Sequence, residues 1–137
     1  MICKVLVVDD ASFIRMMIRQ VLTRLGYTNI LEAKNGFEAI EIYKANTPAL
    51  TILDITMPEL DGLSALIEII AFDPKAKVIM CSAASQETSV REALEIGAVA
   101  FVTKPFHPDK LGKVIVKVLT GNNGRNDNNG GCSATLK

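Results

Sequence analysis

Three aspartates in this 137-residue chain stand where carboxylates could bind a cation or act as a nucleophile. Asp9 and Asp10 follow the apolar run "VLVV", and Asp54 follows "TIL". Two adjacent carboxylates at the end of a buried strand repel each other and resist desolvation, so they need a nearby positive charge. An all-oxygen set with room for water suits Mg²⁺ or Mn²⁺ rather than zinc, which prefers histidine or cysteine.

A hydroxyl and an ammonium occupy equivalent places further along the chain. Ser82 ends the run "VIMCS", and Lys104 and Pro105 follow "AFVT". Each residue alone has an ordinary explanation as a helix cap, a turn or a surface group. Their joint occurrence at the ends of four apolar runs favours one shared site. There an aspartate could accept a phosphoryl group, while the metal, the lysine and the hydroxyl hold its three oxygens.

The elements that must position these groups follow from hydrophobic periodicity. Short runs rich in Val, Ile and Leu predict five strands, at residues 4–8, 29–33, 50–53, 77–82 and 99–103. Between the strands, apolar residues three and four apart predict five helices, with Ile67 and Leu94 among the inward positions. This alternation predicts an open, parallel, three-layer α/β sheet. Ligands bind such sheets at the carboxyl ends of the strands, where the polar residues stand.

Composition narrows the class of protein. Lys and Arg total 15, as do Asp and Glu, so the zero net charge does not favour direct binding to nucleic acid or an anionic membrane. No apolar stretch is long enough to span a bilayer. Three cysteines without C-x-x-C spacing indicate reduced thiols, and hence a cytoplasmic protein.

The composition changes sharply after residue 120. Residues 1–120 have the content of one folded domain, whereas residues 121–137, "GNNGRNDNNGGCSATLK", predict a disordered Asn/Gly-rich tail or linker. The tail could not form an effector domain, so we expect output through another protein. If the natural chain continues past Lys137, the tail is a linker and the output is open.

Four motifs, "VLVVDD", "LDITMPELDGL", "VIMCSA" and "AFVTKPF", occur together in this order. In combination they resemble the receiver domains of two-component response regulators, over about residues 4–120, and in particular the single-domain chemotaxis type. The resemblance implies a flavodoxin-like three-layer sandwich of five parallel strands in the order 2-1-3-4-5, with five helices. The first and third strands would then be neighbours, and the three aspartates would share one pocket.

The resemblance also implies a role for each acidic residue. Asp54 would be the phosphoacceptor. Asp9, Asp10 and Asp54, together with the backbone carbonyl of Thr56, would bind Mg²⁺, or Mn²⁺ in its place.

The remaining motif residues would contact or sense the phosphoryl group. Lys104 would contact it directly, and Ser82 would be the switch hydroxyl. Phe101 would be the rotating aromatic, standing where many relatives carry tyrosine. The Lys104–Pro105 peptide bond is expected to be cis. Thr56 and Ala84, two residues after the acceptor and the switch hydroxyl, occupy positions that modulate phosphoryl lifetime in the family.

The function implied is that of a phosphorylation-activated response regulator. A sensor histidine kinase or a histidine phosphotransfer protein would donate the phosphoryl group, and the chain would catalyse only its own phosphorylation and dephosphorylation. Phosphorylation would change partner binding at the face made by the fourth helix, fifth strand and fifth helix. The leading output partner is a flagellar motor switch component, and a phosphorelay comes next. We expect a monomer or a weak, phosphorylation-dependent dimer.

Two other classes of protein share parts of this pattern. A Mg²⁺-dependent aspartyl-phosphate phosphatase would want a second aspartate two residues after the nucleophile, where this chain has Thr56. A flavodoxin-like flavin-binding protein would need a hydroxyl- and glycine-rich loop after the first strand, where this chain has "DDASF".

Overall fold

The computed structural model describes residues 3–57, 59–83 and 85–120. Strands and helices alternate through these residues. Their bounds are β1 Lys4–Val8, α1 Ser12–Arg24, β2 Asn29–Ala33, α2 Gly36–Asn46, β3 Leu50–Asp54, α3 Gly62–Phe72, β4 Val78–Ala83, α4 Glu87–Ile96, β5 Ala100–Lys104 and α5 Pro108–Thr120. The predicted tail at 121–137 and the position of Ala84 lie outside the described residues.

The five strands form one parallel sheet in the order β2-β1-β3-β4-β5, which confirms the predicted topology. Helices cover both faces. The α1 and α5 helices bury Leu22 and Ile115 against one face, and α2, α3 and α4 bury Tyr43, Leu66 and other side chains against the opposite face. Because both faces are covered, the strands are continuous apolar runs rather than alternating ones.

Three strands end further along the chain than the sequence predicts. Asp54, Ala83 and Lys104 are the last residues of β3, β4 and β5. Their polar or small side chains do not end the strands, because the sheet register continues through Asp54 beside Cys81 and Ala83 beside Lys104. The acceptor candidate and the lysine therefore belong to the rigid sheet.

Two helix positions predicted to face inward are exposed. Ile67 of α3 is 51% exposed and Leu94 of α4 is 43% exposed. The apolar residues of α3 occupy most of its circumference, so spacing alone does not identify the buried face, which includes Ile69. On α4, Val90 and Ala93, which the spacing also places inward, are buried as predicted.

Local signals explain where several helices begin and end. Asn35 and Asp61 accept hydrogen bonds from the backbone N–H groups of Glu38 and Ser64, at 2.8 and 2.9 Å, and so cap α2 and α3. Gly97 ends α4 with a φ of +147°, a conformation that side chains with a Cβ rarely adopt.

The cysteines do not behave alike. Cys81 is a free thiol buried in β4. Cys3 is disulfide-bonded, so the expectation that all the thiols are reduced is wrong for this residue. Within the described residues, none of the helices has the length and apolar character needed to cross a membrane.

Candidate functional site

The three aspartates meet at the carboxyl edge of the sheet. Asp9 follows β1, Asp54 ends the neighbouring β3, and one carboxylate oxygen from each of Asp9, Asp10 and Asp54 lies within 4.8 Å of the others. Asp9 and Asp54 are buried, at 1% and 5% exposure, whereas Asp10 is exposed. The cluster therefore has a buried floor and one side open to solvent.

Lys104 supplies the positive charge that this cluster needs. Its ammonium lies 2.9 Å from Oδ2 of Asp9 and 3.0 Å from Oδ1 of Asp54. The lysine ends β5, and the Lys104–Pro105 peptide bond that follows it is cis. One cation thus bridges the carboxylates that follow β1 and end β3.

Burial and neighbouring charge set the protonation of the site. Burial raises the pKa of Asp54 to about 6, with a further upward contribution from the Asp9 charge that the Lys104 hydrogen bond opposes. Burial lowers the pKa of Lys104, but its hydrogen bonds to Asp9 and Asp54 outweigh that effect, and the net shift is upward. At neutral pH the site therefore contains an ionised Asp54 beside a protonated lysine.

An ion-pair network contacts the backbone of the turn that carries Asp9 and Asp10. The Arg15 guanidinium donates to the backbone carbonyl of Asp9 at 2.6 Å and to Glu32 at 2.8 Å, and Arg19 also pairs with Glu32 at 2.8 Å. The Asp9 side chain accepts from the N–H of Ala11 at 2.9 Å. The sequence does not predict this network, because the charged residues of α1 and β2 carry no pattern that indicates their contact.

Glycines allow the loop after Asp54 to close tightly. The Gly62 N–H donates to the carbonyl of Ile55 at 2.7 Å. A Cβ added at Gly62 would overlap the backbone carbonyl oxygen of Asp54 and lie 2.8 Å from Cα of Ile55. Similarly, a Cβ at Gly36 would lie 2.5 Å from the carbonyl oxygen of Leu60. The motif "LDG" thus requires glycine because of the close approach of the Asp54 backbone.

The hydroxyl and the aromatic candidates lie on one side of Asp54. Ser82 is buried in β4, whereas Phe101 of β5 is 44% exposed. A cavity of about 430 Å³ separates them from α4 and is lined by Ser82, Phe101, Val90 and Leu94 among others. The aromatic ring therefore has an outward position and a cavity beside it.

The site thus combines two buried carboxylates, one exposed carboxylate, an ammonium and a hydroxyl at one sheet edge. Residues 5–116 match the response regulator receiver domain family. The chain belongs to this family.

Several of the similar proteins are chemotaxis proteins named CheY. The receiver is 47% identical to the chemotaxis protein CheY of Bacillus subtilis over 116 residues, which cover 85% of this chain and 97% of that protein. It is also 47% identical to CheY of Thermotoga maritima, over 84% of this chain and 96% of that one. Among solved structures, the CheX–CheY–BeF3–Mg+2 complex from Borrelia burgdorferi has a TM-score of 0.81 and 37% identity, over 85% of this chain and 88% of that one.

These comparisons establish the class of protein. The receiver is a phosphorylation-activated response regulator of the CheY type, and therefore a signalling protein of two-component systems. Receiver domains bind Mg²⁺ at an acidic pocket, and this structure has a group of three acidic residues, Asp9, Asp10 and Asp54, at the sheet edge.

Proposed function

We propose that Asp54 is the phosphoacceptor of this receiver. The observation that supports the proposal is the position of Asp54: buried at the end of a central strand, 3.0 Å from the Lys104 ammonium and beside two further carboxylates. Both carboxylate oxygens of Asp9 accept hydrogen bonds, one from Lys104 and one from the Ala11 N–H, and Asp10 is exposed. Asp54 is therefore the carboxylate best placed to be both held and reactive.

The reaction is a transfer of a phosphoryl group from a phosphohistidine. An oxygen of ionised Asp54 forms the new bond to phosphorus while the phosphorus–nitrogen bond of the donor breaks, and that bond's electron pair stays on the imidazole. Lys104 stabilises the negative charge on the phosphoryl oxygens. Autodephosphorylation is the attack of water on the same phosphorus, and it returns Asp54 to the carboxylate. The receiver catalyses only these two reactions of its own side chain.

The residues at the site fit Mg²⁺, with Mn²⁺ as a possible substitute. Asp9, Asp10 and Asp54 offer carboxylate oxygens within 4.8 Å of one another, and Thr56 lies two residues after Asp54 with its backbone carbonyl as the proposed further ligand. Hard oxygen ligands and an open, solvent-facing side are typical of magnesium sites. When bound, the ion neutralises carboxylate and phosphoryl charge.

Phosphorylation changes the surface on the α4 side of the sheet. We propose that the phosphoryl oxygens draw the Ser82 hydroxyl toward Asp54 and that Phe101 follows into the cavity beside it. The outward ring and the cavity of about 430 Å³ support this sequence of movements. The result is a population shift at the face made by α4, β5 and α5.

The partners follow from the family. A sensor histidine kinase or a histidine phosphotransfer protein donates the phosphoryl group. The output partner is a protein. The first candidate is a flagellar motor switch component, and the second is a protein of a multistep phosphorelay. The Borrelia burgdorferi relative in complex with CheX supports an output through protein binding. We propose that residues 1–120 act as the receiver unit in the cytoplasm, as a monomer or a weak phosphorylation-dependent dimer.

The proposal is tested by intact-mass spectrometry after incubation with acetyl phosphate. With Mg²⁺, wild type should gain one phosphoryl group, and with EDTA it should gain none. Asp54→Asn should stay unmodified in both conditions, while Asp109→Asn, an exposed substitution on α5, should behave as wild type. A wild type that remains unmodified with Mg²⁺ would contradict the proposal.

A further inference from the structure

Gln86 precedes α4 and uses its side chain in an unusual way. A residue at this position often caps the helix that follows, but the Gln86 side chain makes no capping bond. Its Oε1 accepts from the backbone N–H of Ala83 at 2.7 Å, and its Nε2 donates to the hydroxyl of Thr56 at 2.5 Å. The orientation of the amide is fixed, because the Ala83 N–H can only donate and so must face the oxygen.

The two partners of Gln86 flank the reactive groups. Ala83 directly follows the buried Ser82 and pairs with Lys104 in the sheet register. Thr56 is two residues after Asp54. The Gln86 side chain therefore connects the end of β4 to the loop after β3.

The backbone of Gln86 belongs to the start of α4. Its N–H donates to the carbonyl of Ala83 at 3.1 Å, and its carbonyl accepts from the N–H of Val90 at 3.0 Å, within the first turn of the helix. Gln86 therefore links the first turn of α4, through its backbone, to Ala83 and, through its side chain, to Ala83 and Thr56. Val90 in turn lines the cavity next to Phe101.

We propose that Gln86 is a positioning residue that holds the unphosphorylated arrangement of the switch. The inference rests on the proposed function, in which Ser82 moves toward the phosphoryl group on Asp54. The peptide unit between Ser82 and Ala83 carries the N–H group that donates to Gln86. The movement of Ser82 toward the phosphoryl group therefore strains both hydrogen bonds of the Gln86 side chain. The clamp formed by Gln86, Ala83 and Thr56 is thus specific to the unphosphorylated state, and its loss favours the phosphorylated one.

The test measures binding of trifluoroberyllate, a mimic of the phosphoryl group on a carboxylate, with Mg²⁺ by ¹⁹F NMR titration. Gln86→Leu keeps a side chain of similar size and removes both side-chain hydrogen bonds of Gln86. Thr56→Val removes the hydrogen bond between Gln86 and Thr56 by deleting the threonine hydroxyl. Each substitution should tighten trifluoroberyllate binding by about threefold to tenfold. This is the effect expected when the unphosphorylated arrangement loses the net stabilisation of one hydrogen bond. The double variant should bind no more tightly than Gln86→Leu alone, because both substitutions break one shared contact.

Ser85→Ala, an exposed substitution in the same loop, is the matched control and should bind as wild type. A residue with only a structural role would weaken binding when replaced, not tighten it. Unchanged or weaker binding by both Gln86→Leu and Thr56→Val, with normal binding by wild type, would overturn the inference and leave the proposed function standing. Failure of wild type itself to bind trifluoroberyllate with Mg²⁺ would overturn both.

Discussion

The ammonium of Lys104 lies 3.0 Å from Oδ1 of Asp54, although the two residues end strands that are not neighbours in the sheet. Strand β4 separates β3 from β5, and the two residues at its carboxyl end, Ser82 and Ala83, have small side chains. The acceptor candidate and its counter-charge are therefore paired before any phosphoryl group arrives. Phosphoryl transfer depends mainly on such prior positioning.

The first prediction concerns the stability cost of the Asp54 charge. Its pKa is raised from 3.8 to about 6, so the ionised carboxylate destabilises the folded state at neutral pH by at most about 3 kcal/mol. Asp54→Asn in EDTA should therefore be more stable than wild type by about 1–3 kcal/mol at pH 7, as measured by urea denaturation. The difference should shrink as the pH falls from about 6 to below 3.8, because wild type then becomes neutral at this position.

A wild type as stable as Asp54→Asn at pH 7, or a difference that does not change with pH, would contradict the assigned environment of Asp54. Asp109→Asn on the exposed start of α5 is the control and should show no such difference.

The second prediction contrasts two glycines. Gly62→Ala places a Cβ against the backbone of Asp54 and Ile55, so we expect destabilisation of more than about 2 kcal/mol and loss of phosphorylation. Gly112→Ala, inside α5, places its Cβ 3.7 Å from Val21 and 3.9 Å from Leu25, which is ordinary contact. It should stabilise the protein by about 0.5–1 kcal/mol through helix propensity. Thermal denaturation of both variants, with acetyl phosphate labelling, checks the contrast; equal effects at the two positions would refute it.

The third prediction concerns the ion-pair network of Arg15, Arg19 and Glu32. Hydrogen bonds from Arg15 and then Arg19 lower the pKa of Glu32 below its usual 4.5. Since the folded-state pKa is depressed, the stabilisation is complete above about pH 4.5 and is lost as the pH falls through the lower folded-state value. Glu32→Gln should cost about 1 kcal/mol at pH 7, a small effect because the pair is partly solvated.

Urea denaturation from pH 7 downward tests this directly. The gap between wild type and Glu32→Gln should close below pH 4.5, and a gap that stays constant over that range would show that Glu32 does not act through its charge.

The fourth prediction concerns the metal. If the aspartates hold Mg²⁺, adding excess ion should raise the melting temperature of wild type, because a ligand that binds only the folded state stabilises it. Asp10 is exposed, so Asp10→Asn should fold normally but lose most of the Mg²⁺-dependent rise. Asp61→Asn serves as the control, since asparagine can cap α3 as aspartate does. A full rise in Asp10→Asn would remove Asp10 from the ligand set.

Much of the fold could be predicted because its signals are local. The covered parallel strands are continuous apolar runs, and the polar residues at their ends mark the sheet edge. The strand order came from the resemblance to a known family, since periodicity does not determine which strands are neighbours. The buried face of α3 was misjudged at Ile67 because that helix is apolar over most of its circumference.

The sequence names the candidate residues of the site but not the residues that hold them in place. Asp9, Asp54 and Lys104 are recognisable in the sequence because they are charged residues at the ends of apolar strand runs. The groups that hold them are not, since Arg15 contacts Asp9 through the backbone carbonyl and Gln86 reaches Thr56 from thirty residues away. Such contacts depend on the packing of helices against the sheet, which a single sequence does not reveal.

The most direct test of the central claim locates the phosphoryl group itself. After labelling with acetyl phosphate and Mg²⁺, borohydride reduction converts an aspartyl phosphate to homoserine, which tandem mass spectrometry of the peptides can locate. The account predicts homoserine at position 54, with Asp9 and Asp10 unchanged. Homoserine at position 9 or 10 with Asp54 intact would contradict it.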